Sequence, residues 1–557
     1  MKRTALFTAL LLAAAGYVLL QTTAPAPQLA SIMPGGALLY LEAPEFGKLV
    51  RDWDASKVKA DWMESANYEV FSRSNLFTKL EEVYGQYGAA AGFLPDLKSI
   101  VEIAGTDSAL ALYEIREVEF LYVSRIADSD LMKSQLWAVR DKFEQRQAGG
   151  VTFFLRTDAA SKRTVAFAFA RGYLLLATRD DLIAQSLELL AGGTNPSIAG
   201  DRWYRDATAA APNLGDLRLV MNLDSVVNSV YFRSYWVQRN VPAIRRYWAG
   251  VADLKLAQGS FTESRVFLSR PAAAPAVPAG SVSNLLALVP PEAGLYKASR
   301  TGDPAEAAVL IVQKLIGALP ERSRDWRDAP AAVSPDNRAG GEAELETRID
   351  EQPLPPDAGI SDSTAAVRTM VSKAGGSGLL LVQSSVPASA TFVQTPAVVV
   401  LEGAADWDRD AVRSALAIAA GKLWTTSQLG AGWVSGNPIE RLDGLGTLAF
   451  AIRGRMLFLG NETGLLSAVL NRSATTPPAG TVAYAAGFRH LRERANYQRV
   501  MSALDFTSPG GNGGAPAFFS GNLASFSNVL SNVSEVRITE EQKGAATLQT
   551  VVYQVVR

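Results

Sequence analysis

The sequence contains no cysteine and only one histidine in 557 residues. The absence of cysteine excludes disulfides, thiolate nucleophiles, cysteine-bound zinc or iron–sulfur centres, and the lipid-bearing cysteine of a lipoprotein. A single histidine excludes metal sites built from several imidazoles and leaves His490 as the only candidate for a serine–histidine–acid triad. We therefore predict a protein that is not an enzyme and that binds neither a cofactor nor a metal.

Neither sign of charge is in excess, because 54 lysine and arginine residues balance 55 acidic residues. A dedicated nucleic-acid-binding protein carries a basic surface, so we predict no nucleic-acid partner. Hydrophobic residues make up 48% of the chain and charged residues 20%, which is typical of a globular protein. A chain of this length is expected to form two domains of roughly 250 residues each.

The N-terminus has the pattern of an export signal. Lys2 and Arg3 precede an uncharged, mostly apolar run of 16 residues from Ala5 to Leu20. Ala24-Pro25-Ala26 has the form of a cleavage site, but proline follows it. Residues 1–30 are therefore either a signal peptide or an uncleaved membrane anchor, with membrane contact through residues 5–20. Both alternatives place the rest of the chain in the periplasm or on the outer face of the inner membrane.

Two distant segments of the chain resemble each other. Thr164–Glu188, "TVAFAFARGYLLLATRDDLIAQSLE", aligns without a gap to Thr447–Asn471, "TLAFAIRGRMLFLGNETGLLSAVLN". Met33–Tyr40 likewise matches Val289–Tyr296. Alternating apolar residues on either side of a short turn predict an antiparallel hairpin, and the following apolar residues at i, i+3 and i+4 predict a helix. We predict an α+β fold made by tandem duplication of a domain with an antiparallel sheet covered by helices, preceded by the N-terminal signal or anchor segment.

The remaining elements of the two halves can be matched in the same order. Predicted helices at Asp130–Gln147 and Asp408–Thr425 precede the hairpins, and the segments Gly200–Arg205 and Gly487–Arg492 follow them. Each half then closes with a predicted strand, a helix and a last hairpin. The strand ends at Asp224 in the first half and at Asp505 in the second. The last hairpin of the first half starts near Ala252.

Composition sets the domain boundaries. The run "PAAAPAVPAG" at 271–280 is typical of a stiff linker. We predict a first domain at 31–270, a linker at 271–282 and a second domain at 283–557. Within the second domain, residues 322–363 are rich in proline, aspartate, arginine and glycine and lack periodicity, which predicts a flexible insertion.

The most unusual segment is Val230–Gly250, "VYFRSYWVQRNVPAIRRYWAG", which we call the aromatic–arginine segment. Aromatic and arginine side chains together favour an interaction surface. The alternative is an aromatic helix pair packed under the sheet with arginines at its rim. The second half has glycine-rich sequence here, so the two copies differ in this region. The candidate surface residues are Tyr231, Phe232, Arg233, Tyr235, Trp236, Arg239, Arg245, Arg246, Tyr247 and Trp248.

Other motifs are better explained by structure than by chemistry. The alternating acids of Asp406–Ala411 resemble a calcium loop but lack its glycine and glutamate, so we interpret Asp408 as a helix N-cap. The glycines of Gly444–Ala449 precede a strand rather than a helix, which disfavours a dinucleotide site. His490 occupies the position of Trp203 in the first half, which favours packing over catalysis.

The proline-led strands, the segment "DLKSIVEIAGTDSALALY" at Asp96–Tyr113 and the hairpin "VAFAFARGYLLLATRDDLIAQSLELL" resemble the DUF3352-like group of exported bacterial proteins of unknown function. The resemblance covers most of the first half and the core of the second. It implies an exported, non-enzymatic, duplicated α+β protein and assigns no catalytic residues.

Three functions remain open from the sequence. The first is an envelope-associated binding or scaffolding protein whose partner is another envelope protein. The second is a periplasmic carrier of a lipid or other apolar ligand, which requires an apolar cavity between sheet and helices. The third is a hydrolase that works through two carboxylates.

Overall fold

The computed structural model describes residues 28–228, 244–270, 280–316, 362–385, 395–424, 433–472, 482–495 and 532–555, apart from residues 74, 116, 258, 301–303, 376–377, 437 and 444–445. Residues 1–27 of the predicted leader (1–30), residues 271–279 of the predicted linker (271–282) and most of the predicted insertion therefore lie outside the described residues. Among the residues that are described, no helix is long and apolar enough to cross a membrane.

The chain forms two compact units. The first comprises Met1–Asp52, Lys79–Pro212 and Leu217–Asn222, and the second comprises Trp53–Thr78, Asn213–Asp216 and Leu223–Arg557. We predicted a first domain at 31–270, but Trp53–Thr78, Asn213–Asp216 and the described residues between Leu223 and Arg270 belong to the second unit.

The first unit contains an antiparallel sheet in the order β4-β5-β6-β7-β3-β2-β1-β8. Its strands are β1 (Leu39–Pro44), β2 (Asp107–Glu114), β3 (Glu119–Arg125), β4 (Glu144–Ala148), β5 (Val151–Thr157), β6 (Thr164–Ala170), β7 (Tyr173–Ala177) and β8 (Leu217–Met221). The helices before β8 are α1 (Phe46–Asp54), α2 (Lys57–Met63), α3 (Ala66–Ser72), α4 (Asn75–Ala91), α5 (Leu97–Ile103), α6 (Asp128–Leu131), α7 (Gln135–Ala138), α8 (Asp180–Leu190) and α9 (Arg202–Ala210). Of these, α2 and α3 belong to the second unit.

Apolar side chains are buried on both faces of this sheet. On one face, Phe167 and Leu174 of the β6–β7 hairpin pack in a cluster with residues of α4, α6 and α7. On the other, α8 packs against β6 and β7. The residues of α8 predicted to face the core, Leu182, Ile183, Ser186, Leu187 and Leu190, are all buried. The predicted hairpin and helix of the first half are therefore confirmed.

The second unit contains an antiparallel sheet in the order β9-β10-β20-β19-β18-β11-β12-β13-β17-β16-β15-β14. Its strands are β9 (Tyr247–Ala257), β10 (Ser260–Ser269), β11 (Leu295–Ser299), β12 (Gly378–Gln383), β13 (Ala397–Glu402), β14 (Trp433–Val434), β15 (Glu440–Asp443), β16 (Thr447–Arg453), β17 (Met456–Gly460), β18 (Tyr484–Phe488), β19 (Val533–Lys543) and β20 (Ala546–Val555). Its further helices are α10 (Leu223–Asn228), α11 (Ser283–Leu286), α12 (Pro304–Ile311), which continues into a π-helical turn at Val312–Ile316, α13 (Asp362–Ala374), α14 (Arg409–Trp424) and α15 (Thr463–Asn471).

The second sheet is also buried on two faces. Phe450 and Leu459 pack with residues of α12, α13 and α14 in one cluster, and Phe458 packs with α15 in another. The predicted inward positions of α15, at Leu465, Leu466, Val469 and Leu470, are buried. The mixed helix-and-strand fold with large antiparallel sheets is thus confirmed.

Three predicted elements differ from the structure. Asp130–Gln147 is not one helix but contains α6, α7 and the first residues of β4, because Ser134 caps a new helix and Gly149-Gly150 turns the chain into the β4–β5 hairpin. The last hairpin of the first half begins at Tyr247, five residues before the predicted start at Ala252. Tyr247 and Trp248 therefore lie in strand β9 and not in a helix, as the alternative of an aromatic helix pair would require. Gly487 and Phe488 end strand β18, whereas the matched residues of the first half, Gly200 and Asp201, lie just before helix α9. β18 pairs with β11 as β8 pairs with β1. However, a helix follows β18, whereas a helix precedes β8.

The pairing of β11 with β18 depends on a glycine. Gly487 lies directly opposite Tyr296, and a Cβ at Gly487 would lie 2.2 Å from Cε1 of the tyrosine ring. We expect Gly487→Ala to destabilise the second unit by about 1–3 kcal/mol through overpacking. Tyr296→Ala in the same chain should recover most of that loss. Thermal unfolding of the two single variants and the double variant measures this coupling, and additive effects would contradict the explanation.

Candidate functional site

The first unit contains an apolar cavity between one face of its sheet and helices α4 and α5. Its volume is about 160 Å³. The lining residues are Tyr87, Ala91, Phe93, Pro95, Ser99, Ile100, Ile103, Phe120, Leu136, Val165, Leu176, Ala177 and Thr178. Many of these side chains are only half-buried, including Phe93, Ile100, Phe120 and Leu176. The cavity therefore combines an apolar wall with access from solvent.

The start of α5 is fixed by a capping box. Asp96 Oδ1 accepts a hydrogen bond from the Ser99 amide at 2.7 Å, and Ser99 Oγ accepts one from the Asp96 amide at 2.7 Å. The hydrogen bond from the Ser99 amide to the Asp96 carboxylate is the main cause that lowers the pKa of Asp96. Such a reciprocal cap satisfies two amides at the helix start that have no partner within the helix. It thereby holds Ile100 and Ile103, one helical turn apart, against the cavity.

The end of α5 is held by hydroxyl groups of the sheet. Ser124 Oγ donates a hydrogen bond to the Ile103 carbonyl at 2.6 Å, and Tyr122 Oη lies 3.3 Å from the same carbonyl. Gly105 follows with φ of +60°, and a Cβ there would lie 2.0 Å from the Arg125 carbonyl oxygen. Only glycine allows this close approach of helix end and strand. The position of α5 over the sheet is thus fixed at both ends.

Each hydroxyl group in the cavity wall already donates within the chain. Tyr87 Oη donates to the Glu117 carbonyl at 3.0 Å, and Ser99 Oγ donates to the Asp96 carbonyl at 2.9 Å. Thr178 Oγ1 donates to the Phe120 carbonyl at 3.4 Å and accepts from the Phe120 amide at 2.9 Å. Burial is the main cause that raises the pKa of Tyr87, although nearby Arg163 acts in the opposite direction. The Tyr87 hydroxyl is therefore neutral at physiological pH.

A second recess, of about 170 Å³, lies over strands β1, β2 and β3 of the same unit. Its lining residues are Leu41, Glu42, Ala43, Phe46, Ser108, Ala109, Leu110, Tyr122 and Leu217. Tyr122 Oη lies 2.8 Å from Ser108 Oγ, and Ser108 Oγ donates to the Ala104 carbonyl just beyond α5. Of these two cavities, the first has no carboxylate in its lining and the second has one, Glu42.

The structure describes only part of the aromatic–arginine segment. Tyr231, Phe232, Arg233, Tyr235, Trp236 and Arg239 lie outside the described residues. Arg245 and Arg246 are exposed, whereas Trp248 is half-buried. Tyr247 is 8% exposed, and its ring packs 5.1 Å from that of Phe267 while the Arg246 guanidinium lies 4.7 Å from its centre. Tyr247 therefore contributes to the core of the β9–β10 hairpin and not to an exposed surface.

The structural interpretation of the other motifs agrees with the geometry. Asp408 Oδ1 accepts hydrogen bonds from the amides of Asp410 and Ala411 at 2.9 and 3.2 Å, which is an N-cap of α14. Thr447 begins strand β16 directly after the glycines. His490 is 1% exposed and lies beside Phe488, and burial is the main cause that lowers its pKa. Within the described ranges, no group of three or more acidic or histidine side chains is arranged to hold a metal ion.

One of the three functions open from the sequence requires an apolar ligand between sheet and helices, but the sequence did not locate a cavity. The one local signal was the sequence "DLKS" at Asp96–Ser99, which marks a helix start. It shows where α5 begins but not how far the helix stands from the sheet.

Comparisons with known proteins found little. No family model matches the sequence, and no curated protein matches it. Among solved structures, crystal form III of TP0453 is similar over 44% of this chain and 82% of its own, with 11% identity and a TM-score of 0.25. Crystal forms I and IV of TP0453 each have 12% identity, cover 81% of their own chains and give TM-scores of 0.25 and 0.26. A likeness at these TM-scores supports no inference about this chain.

Proposed function

We propose that this protein is a non-catalytic binding protein that holds an apolar group of its ligand in the cavity beneath α5. The supporting observation is the cavity itself, about 160 Å³ in volume and lined by aliphatic and aromatic side chains. Binding sites for small molecules are concave and mostly apolar, with few polar groups. An enclosed apolar cavity of about 150 Å³ in another protein binds benzene, so this volume is sufficient for a small hydrocarbon group. This is the carrier alternative of the three functions open from the sequence.

The export pattern of residues 1–30 adds a location to this proposal. We place the protein in the periplasm or on the outer face of the inner membrane, where a carrier of apolar groups would meet lipid. The resemblance to DUF3352-like exported proteins supports the same location. We also propose that the two units derive from a tandem duplication, because the β6–β7 hairpin with α8 and the β16–β17 hairpin with α15 have matching sequence and pairing.

A scaffolding role is the second candidate. The observation that favours it is the exposure of Arg245 and Arg246 at the start of β9. Guanidinium groups are common at protein interfaces, where they make several hydrogen bonds at once. The two candidates are compatible, since these arginines lie outside the cavity lining.

Filling the cavity tests the proposed function. Ile100 lies in the wall and is half-buried, so Ile100→Trp should occupy much of the volume. We expect toluene to bind the wild-type chain and to bind the variant at least about tenfold more weakly, a loss of about 1.4 kcal/mol. A ligand-observed NMR titration at constant protein concentration measures both affinities.

The control is Leu97→Trp on the same helix. Leu97 is 38% exposed and is not part of the lining, so this variant should bind toluene as the wild type does. Equal loss in both variants would show that a tryptophan on α5 disturbs the fold rather than the cavity. Absence of toluene binding to the wild type would refute the proposed function.

A further inference from the structure

The side chains that line the cavity contain three hydrogen-bond donors, and all three are hydroxyl groups. These belong to Tyr87, Ser99 and Thr178. Each hydroxyl group has a single hydrogen, and in each case a backbone carbonyl of the chain lies within hydrogen-bond distance of the hydroxyl oxygen, at 3.0 Å for Tyr87, 2.9 Å for Ser99 and 3.4 Å for Thr178. Among the lining residues, all of which the structure describes, no side-chain donor is left for a ligand.

Two of these donors are held by more than one bond. Ser99 is part of the capping box of α5, so rotating its hydroxyl toward the cavity would weaken the helix start. Thr178 Oγ1 donates to the Phe120 carbonyl and accepts from the Phe120 amide. Because Thr178 directly follows β7, these bonds extend the pairing of β7 with β3. Redirecting either hydroxyl hydrogen to a ligand would break the bond that it now makes, although the Asp96 and Phe120 carbonyls would keep the amides of Ile100 and Thr178 as donors. One hydrogen bond would then replace another, with little net gain.

We infer that the cavity selects a hydrocarbon group that carries no hydrogen-bond acceptor, and that the polar part of the natural ligand stays outside. This inference rests on the proposed function. A carbonyl, ether or carboxylate oxygen in the cavity would lose its bonds to water and gain none from the side chains. The volume of about 160 Å³ limits the bound group to about the size of benzene. The group is therefore the end of an alkyl chain or a single aromatic ring.

The first experiment compares toluene with 4-methylpyridine on the full chain. The two molecules have nearly the same shape, but the pyridine nitrogen is an acceptor. Two ratios of partition coefficients, toluene over 4-methylpyridine, serve as references. The first is measured between water and cyclohexane, which forms no hydrogen bonds, and the second between water and octanol, which forms them. We expect the ratio of the two affinities, measured by NMR at a pH where the pyridine is neutral, to follow the cyclohexane ratio. A ratio at or below the octanol value would overturn the inference.

A variant that adds a donor provides the second measurement. Ile100→Gln places an amide with two N–H donors in the wall, and Leu97→Gln places the same amide outside it. We expect Ile100→Gln to lower the preference for toluene over 4-methylpyridine by about tenfold, the effect of one hydrogen bond. Leu97→Gln should keep the wild-type preference. An unchanged preference in Ile100→Gln, with the chain folded by circular dichroism, would also overturn the inference.

The outcomes separate the two claims. If neither toluene nor 4-methylpyridine binds, the proposed function fails. If both bind with similar affinity, the cavity binds ligands but the inference fails. Adding n-hexane as a third ligand identifies the source of the group: tighter binding of hexane supports an alkyl-chain end, and tighter binding of toluene supports an aromatic ring.

Discussion

Replacing Phe167 by alanine is expected to lower the local free energy of unfolding of the β6–β7 hairpin by about 3–5 kcal/mol. The Phe167 side chain is fully buried, and its ring lies 4.9 Å from that of Phe154 and 5.1 Å from that of Phe143. The substitution removes both aromatic contacts and leaves a void that rigid neighbours fill only in part. Hydrogen exchange of peptides from β6 and β7 in the full chain measures the change without requiring two-state unfolding.

Phe169 on the same strand is the matched control. It is only half-buried, so Phe169→Ala should cost clearly less than Phe167→Ala. Equal costs at the two positions would show that burial is not the cause.

The proposed duplication extends this prediction to the second unit. Phe450 is the residue that aligns with Phe167, is 1% exposed, and packs 5.2 Å from Trp433. We expect Phe450→Ala to have an effect of the same size on β16 and β17. A much smaller effect would argue that the two hairpins share sequence without sharing their role in the core.

The second large effect is expected at a buried ion pair. Glu440 of β15 is 1% exposed, and its carboxylate lies 2.6 Å from Arg413 and 2.9 Å from Arg409, both on α14. Arg413→Met leaves the carboxylate with one partner. We expect a loss of about 3 kcal/mol, the lower end of the range for breaking a buried pair, because Arg409 still reaches it. The midpoint of urea unfolding measures the loss.

Two further variants test the cause. Arg409 is 55% exposed on its side chain, against 30% for Arg413, so Arg409→Met should cost less. Glu440→Met combined with Arg413→Met should recover stability, because two apolar side chains replace the pair. Failure of the double variant to recover would mean that Arg413 acts through packing of its aliphatic part and not through its charge.

The sequence predicted the hairpin–helix repeats to the level of single buried residues. A short turn between strands and a regular helical period are local properties, so they can be read without knowing the rest of the chain. Asp130–Gln147 was predicted wrongly because Met132, Leu136 and Val139 are apolar residues at helical spacing. Gly149 and Gly150, with φ of +57° and +75°, were the overlooked sign of a hairpin.

The cavity could not be predicted in this way. Its volume depends on how far α4 and α5 stand from the sheet, and that distance is set by contacts between residues far apart in sequence. The bond from Ser124 to Ile103 and the close approach of Gly105 to Arg125 are examples. A serine or a glycine in the sequence does not by itself indicate which distant residue it will contact.

One terminal strand of each sheet, β4 in the first and β14 in the second, bears on solubility. Within the described residues, β4 pairs only with β5 and β14 only with β15, so each has one edge with unpaired backbone groups. Such an edge can add a strand from another chain and start aggregation. In β4 the residues Glu144–Gln147 are all exposed and polar, and β14 is two residues long. β4 therefore offers an incoming strand little apolar contact, and β14 offers it little length, which disfavours the addition of a strand at these two edges.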